Sequence, residues 1–312
     1  MSEPTDDHLL LRVAQLHYEQ GLNQQQVASR LSLSRWQVGR MLDRARTRGI
    51  VRIEIVHPEA RSHKLEERLV AMFGIRDAVV VPGADTERGT WRLVAQAAGE
   101  YLADRGSELH TVAVSWGRTM GEIAHQIPVD WANRPTVVQA NGGLSRPGPG
   151  AVAGVVGTMA SRARGVPVFL PAPAIVKSRA LASALRAEPV LKEVLKLAQS
   201  ADALVFSLGP AARDSVLVSS GLLTADAIDD MVARGCVGDV LGRFLDSAGE
   251  SVDDSLDART IGLGLDDIRS SALAVAIAAG PRKSGVARAV ASHGLCDVLV
   301  TDRQTAASLV DA

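Results

Sequence analysis

Residues 23 to 48 read Asn23-Gln24-Gln25-Gln26-Val27-Ala28-Ser29-Arg30-Leu31-Ser32-Leu33-Ser34-Arg35-Trp36-Gln37-Val38-Gly39-Arg40-Met41-Leu42-Asp43-Arg44-Ala45-Arg46-Thr47-Arg48, and they decide the character of the N-terminal part of the chain. Asn23 with Gln26, and Ser34 with Gln37, have the spacing of capping boxes, in which a polar side chain takes the third helical amide and the third side chain reaches back. Helices therefore start at both places. The link Ser32-Leu33 is so short that the two form a helix-turn-helix. Val27, Ala28 and Leu31 face inward on the first. Val38, Met41, Leu42 and Ala45 do so on the second, at i, i+3, i+4 and i+7. Upstream, Leu9, Leu10, Val13, Leu16 and His17 recur with helical spacing until Gln20-Gly21 stops them. Downstream, Gly49 ends the last helix and Ile50 to Val56 alternates as a strand does, closed by Pro58. A winged domain needs a second strand there, and the sequence offers none.

The outward face of the second helix of the pair carries Trp36, Arg40 and Asp43, flanked by Arg35, Gln37 and Arg44. Entering a major groove at its N-terminal end, such a face can read bases, since Arg pairs bidentately with guanine and Gln with adenine. Arg44, Arg46 and Arg48, nearer the C-terminal end, suit phosphates. Gln24 and Ser34, at the heads of the two helices, complete the candidate DNA-contacting set. Gln37 has a competing role in closing its capping box, and Trp36 a competing role in half-buried packing. Charge points the same way. From Arg30 to Arg52 there are seven arginines against Asp43 alone, a segment of +6 in a chain whose formal net charge is -1. The rest is correspondingly acidic, and this asymmetry implies a polyanionic partner.

The chain has 312 residues, 46% hydrophobic and 22% charged, and no apolar run reaches the roughly 18 residues of a membrane span. The acidic start, Glu3, Asp6 and Asp7, is followed by no uninterrupted apolar stretch, so a secretory leader is not expected and the cytoplasm is the expected location. Cys236 and Cys296 alone make neither a disulfide framework nor a four-ligand zinc site and read as small buried residues. No Ser/His/Asp order, metal-ligand cluster or paired-carboxylate motif stands out, so no cofactor is expected. His125 and His293 read as surface or packing residues.

From Asp77 onward the pattern changes. After a linker from His57 to His63 and a short helix marked by Leu65, Leu69 and Phe73, apolar runs alternate with helices. The runs are Ala78 to Val81, Thr111 to Val114, Thr136 to Gln139, Pro167 to Leu170, Ala203 to Phe206, Ala272 to Ile277 and Asp297 to Val300. Strands apolar on both faces and separated by helices predict an open, mostly parallel α/β sheet. The expected organisation is a small all-α domain over residues 1–57 and an α/β effector domain over 58–312. In such sheets ligands sit beyond the carboxyl ends of the strands. After Val114 stands Ser115-Trp116-Gly117-Arg118-Thr119-Met120-Gly121, whose amides, hydroxyls and arginine at a helix start suit a phosphate, although an ordinary turn would read alike. After Gln139, Asn141-Gly142-Gly143 allows close backbone approach. Asp239 follows a glycine, and Gly280-Pro281-Arg282-Lys283 places two cations at a helix start. An acid for hydroxyls and a lysine for phosphate would complete a polyol-phosphate site.

At this point a resemblance joins the reading. Gln24 to Leu42 is similar to the DNA-binding segment of the SorC family of sugar-responsive bacterial transcription regulators. The motifs at Ser115 to Met120, Val138 to Gly143, Leu170 to Pro173, Gly221 to Thr224, Val237 to Gly249 and Leu299 to Ala306 resemble that family's effector domain, in order. The resemblance implies a domain like the ribose-5-phosphate isomerases and CoA transferases that binds a sugar, polyol or sugar phosphate as inducer and turns nothing over. It implies that Ser115, Gly117, Arg118 and Thr119 take a phosphate, that Asn141, Gly142 and Gly143 line the pocket, and that Asp239 and Lys283 contact the sugar. It further implies operator DNA as partner, control of a carbohydrate-utilisation operon, and a homo-oligomer, a tetramer built as a dimer of dimers. Ser207-Leu208-Gly209-Pro210 and Gly280-Pro281-Arg282 depart from the family pattern, the first replacing a Gly-Ile-Gly turn and the second a second glycine. The alternative left open is an isomerase-like enzyme with an added DNA-binding module, using Asp239 as base.

Overall fold

The computed structural model describes residues 4–51, 61–144 and 152–311. The chain divides into two compact units, Met1–His57 and Pro58–Ala312.

In the first unit, α1 (Pro4–Ala14) runs into a π-helical turn, Gln15–Glu19, followed by α2 (Gln24–Leu31) and α3 (Arg35–Thr47). Both capping boxes form. Asn23 and Gln26 exchange side-chain-to-amide bonds of 2.9 Å each, and Ser34 and Gln37 exchange bonds of 3.2 and 2.8 Å. Ser32 closes α2 in the left-handed region at φ 54°, which turns the chain within two residues. Val13, Leu16, Val27, Ala28, Val38 and Leu42 form one core. The expected strand lies mostly outside the described residues; of it, Ile50 and Val51 pack beside Leu10, Ala14 and Ala45. The expected linker lies largely outside them too, and its described residues Arg61 and Ser62 belong to the second unit, bonded there to Glu66 and Val80.

The second unit opens with α4 (His63–Phe73), β1 (Asp77–Val81) and α5 (Glu87–Asp104), and continues with β2 (Thr111–Val114), α6 (Arg118–Gln126), β3 (Thr136–Gln139), α7 (Val152–Arg162) and β4 (Val166–Val168). It proceeds through α8 (Arg179–Ala187), α9 (Pro189–Gln199), β5 (Ala203–Pro210), α10 (Val216–Ser219), α11 (Ala225–Ala233), β6 (Gly238–Val240) and β7 (Arg243–Leu245). Then come α12 (Asp254–Arg259), α13 (Leu265–Arg269), β8 (Ala274–Ala278), a 3-10 turn Pro281–Lys283, α14 (Ser284–Ser292), β9 (Val298–Asp302) and α15 (Arg303–Val310). Among the described residues, seven strands lie parallel in the order β1-β9-β8-β5-β2-β3-β4, the mostly parallel sheet that the strand pattern predicts. β6 and β7 are an antiparallel addition to the end of β5. Sequence reading missed them because three-residue strands carry too little alternation to be seen.

Alternation along the strands feeds two cores. Val79, Val112, Val114, Val205, Val275, Ile277 and Val300 pack under α5, α6 and α7, while Val80, Ala113, Leu204, Phe206, Ala276 and Leu299 pack under α4, α9, α14 and α15. β3 and β4 step away from β2 in one direction, β8 and β9 from β5 in the other. The order reverses between β2 and β5, and that is where a crevice opens at the carboxyl edge.

Asp302 ties this edge together. It is 1% exposed, caps α15 by accepting from the Thr305 amide at 3.0 Å and hydroxyl at 2.6 Å, and accepts from the Gly280 amide at 2.7 Å. Gly280, at φ 91°, begins the turn that carries Lys283. Asp302→Ala removes the cap and leaves a buried amide and hydroxyl unpaired, a loss of about 2–4 kcal/mol. Urea denaturation measures it; a loss below about 1 kcal/mol would show that these donors find other partners.

Candidate functional site

In the first unit, the capping boxes fix which side chains of α3 face outward. Arg35, Trp36, Gln37, Arg40, Asp43, Arg44 and Arg46 are exposed, as is Ser34 at its cap, and Gln24 is half-buried at the first turn of α2. Trp36 is 68% exposed, so it is a surface residue and not a packing one, and the Arg40 guanidinium stands 4.7 Å from its ring centre. The Gln37 carbonyl oxygen is held by the Ser34 amide, which leaves the side chain its two N–H donors. A bidentate pair with adenine would cost it the cap. Arg46 is paired with Asp43. The arrangement is a stacked aromatic–cation pair at the front of the helix with arginines behind it.

In the second unit, the reversal between β2 and β5 is lined from several elements. The Ser115 amide donates to Val205 at 3.0 Å, and its hydroxyl accepts from the Ser207 amide at 3.3 Å, so the two strand ends are stitched together before they part. Gly117, at φ 136°, turns the chain into α6, and a Cβ there would stand 3.3 Å from the Ser207 hydroxyl. The α6 N-terminus that follows has unpaired amides and a dipole favourable to an anion. Thr119, second in that helix and 5% exposed, accepts from Lys283 Nζ at 3.3 Å across 164 residues of sequence. Asp239 enters on β6 opposite Gly209 and accepts from the Gly242 amide at 3.1 Å. A Cβ on Gly209 would stand 1.9 Å from Asp239 Oδ1, so this carboxylate needs glycine there.

These groups line one recess with about 810 Å³ of atom-free space, part of it open to solvent. Ser115, Gly117, Arg118, Thr119, Asn141, Asp239 and Lys283 are brought together in its walls. Gly142 and Gly143 are not. Gly142 bonds to Ile261 and takes the Trp116 indole N–H at 2.8 Å, Gly143 bonds to Ala172, and a Cβ on Gly142 would strike the Pro173 carbonyl at 2.4 Å. The close approach that Gly142 permits is to neighbouring backbone. Residues that the sequence reading did not nominate include Glu87 and Trp91 from the start of α5, Ser215 to Leu217 at α10, and Arg282. A signal for Glu87 and Trp91 existed, because every helix that follows a parallel strand begins at the same edge.

Burial sets the electrostatics. It pushes the Asp239 carboxyl up to about 6, against the opposing pull of the Gly242 amide and the Lys283 charge. It pulls the Lys283 ammonium down to about 8, with Asp239 resisting and Arg118 assisting. Arg118 is on the rim, 5.2 Å from the centre of the Trp91 ring, and Arg282 is held by Asp214 at 2.7 and 3.1 Å. The recess thus offers an anion site at the α6 N-terminus beside a cation, and a carboxylate suited to hydroxyls. Among the described residues no cluster of three or more His, Cys, Asp or Glu could hold a metal, and the buried Cys296 thiol is pushed up to about 12. No helix among them is long and apolar enough to cross a membrane.

Residues 57–311 match the sequence profile of the family described as "Putative sugar-binding domain". The chain is 30% identical to a transcriptional regulator LsrR of Enterobacter sp. (strain 638), over 98% of this chain and 94% of that one. It is 26% identical to the deoxyribonucleoside regulator of Bacillus subtilis (strain 168), over 97% of both. The full-length sorbitol operon regulator SorC of Klebsiella pneumoniae superposes with a TM-score of 0.69 at 27% identity, covering 98% of this chain and 99% of that one.

Because folding favours neutral Asp239, its contribution to stability is complete below about pH 3.8 and is lost as pH rises through about 6. Asp239→Asn, which keeps an oxygen for the Gly242 amide, is expected to raise stability above pH 6 by on the order of 1–3 kcal/mol, a gain that fades toward pH 4. Thermal denaturation at pH 4, 6 and 7.5 checks it. An equal effect at all three would mean that the carboxyl titrates normally.

Proposed function

The chain belongs to the SorC family of sugar-binding transcriptional regulators, and from that premise we propose that it gates operator binding by the first unit through a sugar, polyol or sugar phosphate held in the recess of the second. It is a regulator rather than an enzyme. The observation that carries the effector reading is the meeting of Lys283 with Thr119 at the start of α6, which places a cation beside free helix amides where a phosphoryl group would lie. Asp239 then faces the hydroxyls of the carbon chain. Ser115, Gly117, Arg118 and Asn141 complete the contacts, while behind the wall Gly142 holds Trp116 and Gly143 is bonded to Ala172.

The domain limits are those of the two units, residues 1–57 for DNA and 58–312 for the effector. On DNA, Arg35 and Arg40 read bases with Trp36 bracing Arg40, and Gln24, Ser34, Arg44 and Arg46 contact the backbone; Gln37 contributes a donor without leaving its cap. One such helix covers too little surface to find a site in a genome, so the working species is a homo-oligomer, a tetramer arranged as a dimer of dimers. The protein works in the cytoplasm. Because similar proteins are named for deoxyribonucleoside, erythritol and sorbitol control, the target is a carbohydrate-utilisation operon.

The DNA reading is tested on the operator fragment that the protein selects from random DNA. Arg35→Ala and Arg40→Ala should each cost about 1–3 kcal/mol on that fragment with nonspecific binding nearly intact, whereas Arg46→Ala should weaken all DNA alike. Equal losses on operator and random DNA for every variant would sink base reading by α3. In the recess, an anionic ligand needs charged Lys283 and ionised Asp239 serves hydroxyls, so affinity for a sugar phosphate should peak between about pH 6 and pH 8. Lys283→Ala should weaken the phosphorylated form far more than the free one. Titration calorimetry across pH reads both; equal losses for the two forms would place the phosphoryl group elsewhere.

A further inference from the structure

Two buried polar atoms in the walls of the recess have no hydrogen-bond partner: the indole nitrogen of Trp91 and the carboxamide oxygen of Asn141. Leaving such groups unpaired costs a fold stability, and native interiors keep few of them. Asn141 is 2% exposed and its backbone is bridged to Gly262, so its side chain is held where it stands. Trp91 is held by the stacking of Arg118 over its ring. The chemistry of the two atoms is complementary. An indole N–H can only donate, and a carboxamide oxygen accepts. Trp91 follows β1 and Asn141 follows β3, so they approach from opposite sides of the junction between β2 and β5, and a ligand touching both spans the crevice.

We propose that Trp91 and Asn141 determine selectivity in this recess, the indole donating to a phosphoryl oxygen and the Asn141 carboxamide accepting a hydroxyl proton from the carbon chain of a phosphorylated polyol or sugar. The assignment rests on the effector reading above and sharpens it. Trp91 belongs to the anion end because Arg118, the first residue of α6, covers it. Asn141 belongs to the hydroxyl end because its carboxamide oxygen only accepts, and a hydroxyl has a proton to give it where an ionised phosphoryl group has none. A site built to bond both groups rejects analogues that lack either, since each absence leaves a buried polar atom unpaired. Both atoms are closed to solvent in the empty recess, so a ligand reaches them only when the walls covering them move. The filled and empty recesses therefore differ in shape, which is the difference an effector must exploit to shift an equilibrium.

The test is titration calorimetry on the full chain with sorbitol 6-phosphate, ribose 5-phosphate and 2-deoxyribose 5-phosphate, and with inorganic phosphate and free sorbitol as part-ligands. Trp91→Phe keeps an aromatic ring under Arg118 and removes the N–H donor with part of the ring; it should weaken the tightest phosphorylated probe about tenfold and leave free sorbitol unchanged. Asn141→Leu should weaken the same probe about fivefold and leave inorganic phosphate unchanged. Neither should lower the thermal midpoint of the empty protein, because no bond is lost there; a purely packing role would lower it. Should Asn141→Leu fail to fold, Asn141→Ser carries the same measurement. Variants that bind the phosphorylated probe as tightly as the wild type overturn the assignment while sparing the effector reading. A wild-type chain that binds free sorbitol but none of the phosphorylated probes overturns the assignment alone, and one that binds no probe at all overturns both.

Discussion

The parallel pairing of β2 with β5 is the constraint on which the effector unit depends. Val112, Ala113 and Val114 face Ala203, Leu204 and Val205 in register, and the other parallel strands lie outward from this pair, β3 and β4 on one side and β8, β9 and β1 on the other. Because the connections leave in opposite directions, a crevice is left at the carboxyl edge of the junction by topology. The Ser115–Ser207 bond closes its floor. The antiparallel β6 then folds back on the end of β5 and delivers Asp239 over Gly209.

The chemistry of the recess works against the stability of the fold. Burial acts on Asp239 and Lys283 in opposite senses and disfavours the charge on both, and their attraction returns part of that cost. Packing does not require either charge. A ligand that brings an anion to Lys283 and hydroxyls to Asp239 removes the conflict, so binding is favoured by relief of strain already present in the empty protein. The DNA unit shows the opposite economy. Its caps satisfy the helix starts of α2 and α3 locally, and Arg35, Arg40, Arg44 and Arg46 are exposed, where ion pairs such as Arg46–Asp43 contribute little to stability.

Regulation requires the two units to be coupled, and the physical requirement is narrow. An effector that bound the DNA-competent and DNA-incompetent assemblies equally well would change nothing, however tightly it bound. The recess draws its walls from α10, the turn before α14 and the start of α5, segments far apart in the chain. The Asp214–Arg282 pair joins two of these segments at the surface. Filling the recess loads several elements at once.

Sequence alone determined what depends on neighbours a few residues apart. The two capping boxes, the turn at Ser32-Leu33 and the inward face of α3 are local matters, so the helix-turn-helix and its exposed arginines could be read directly. Apolar strands alternating with helices likewise determined a parallel sheet, and the parallel sheet determined which edge to search. Ser115 to Thr119, Asn141, Asp239 and Lys283 were found that way and by resemblance. Only the tertiary structure decided what depends on crossing distances. It placed Thr119 against Lys283, gave Gly142 and Gly143 to backbone crossings instead of the pocket, drew in Trp91 from a helix with no motif, and left Trp91 and Asn141 without partners. The reason is physical: caps and turns form between residues the chain already holds together, whereas a pocket is made where strand order reverses, and the pairing of distant strands is settled only when the whole sheet is packed.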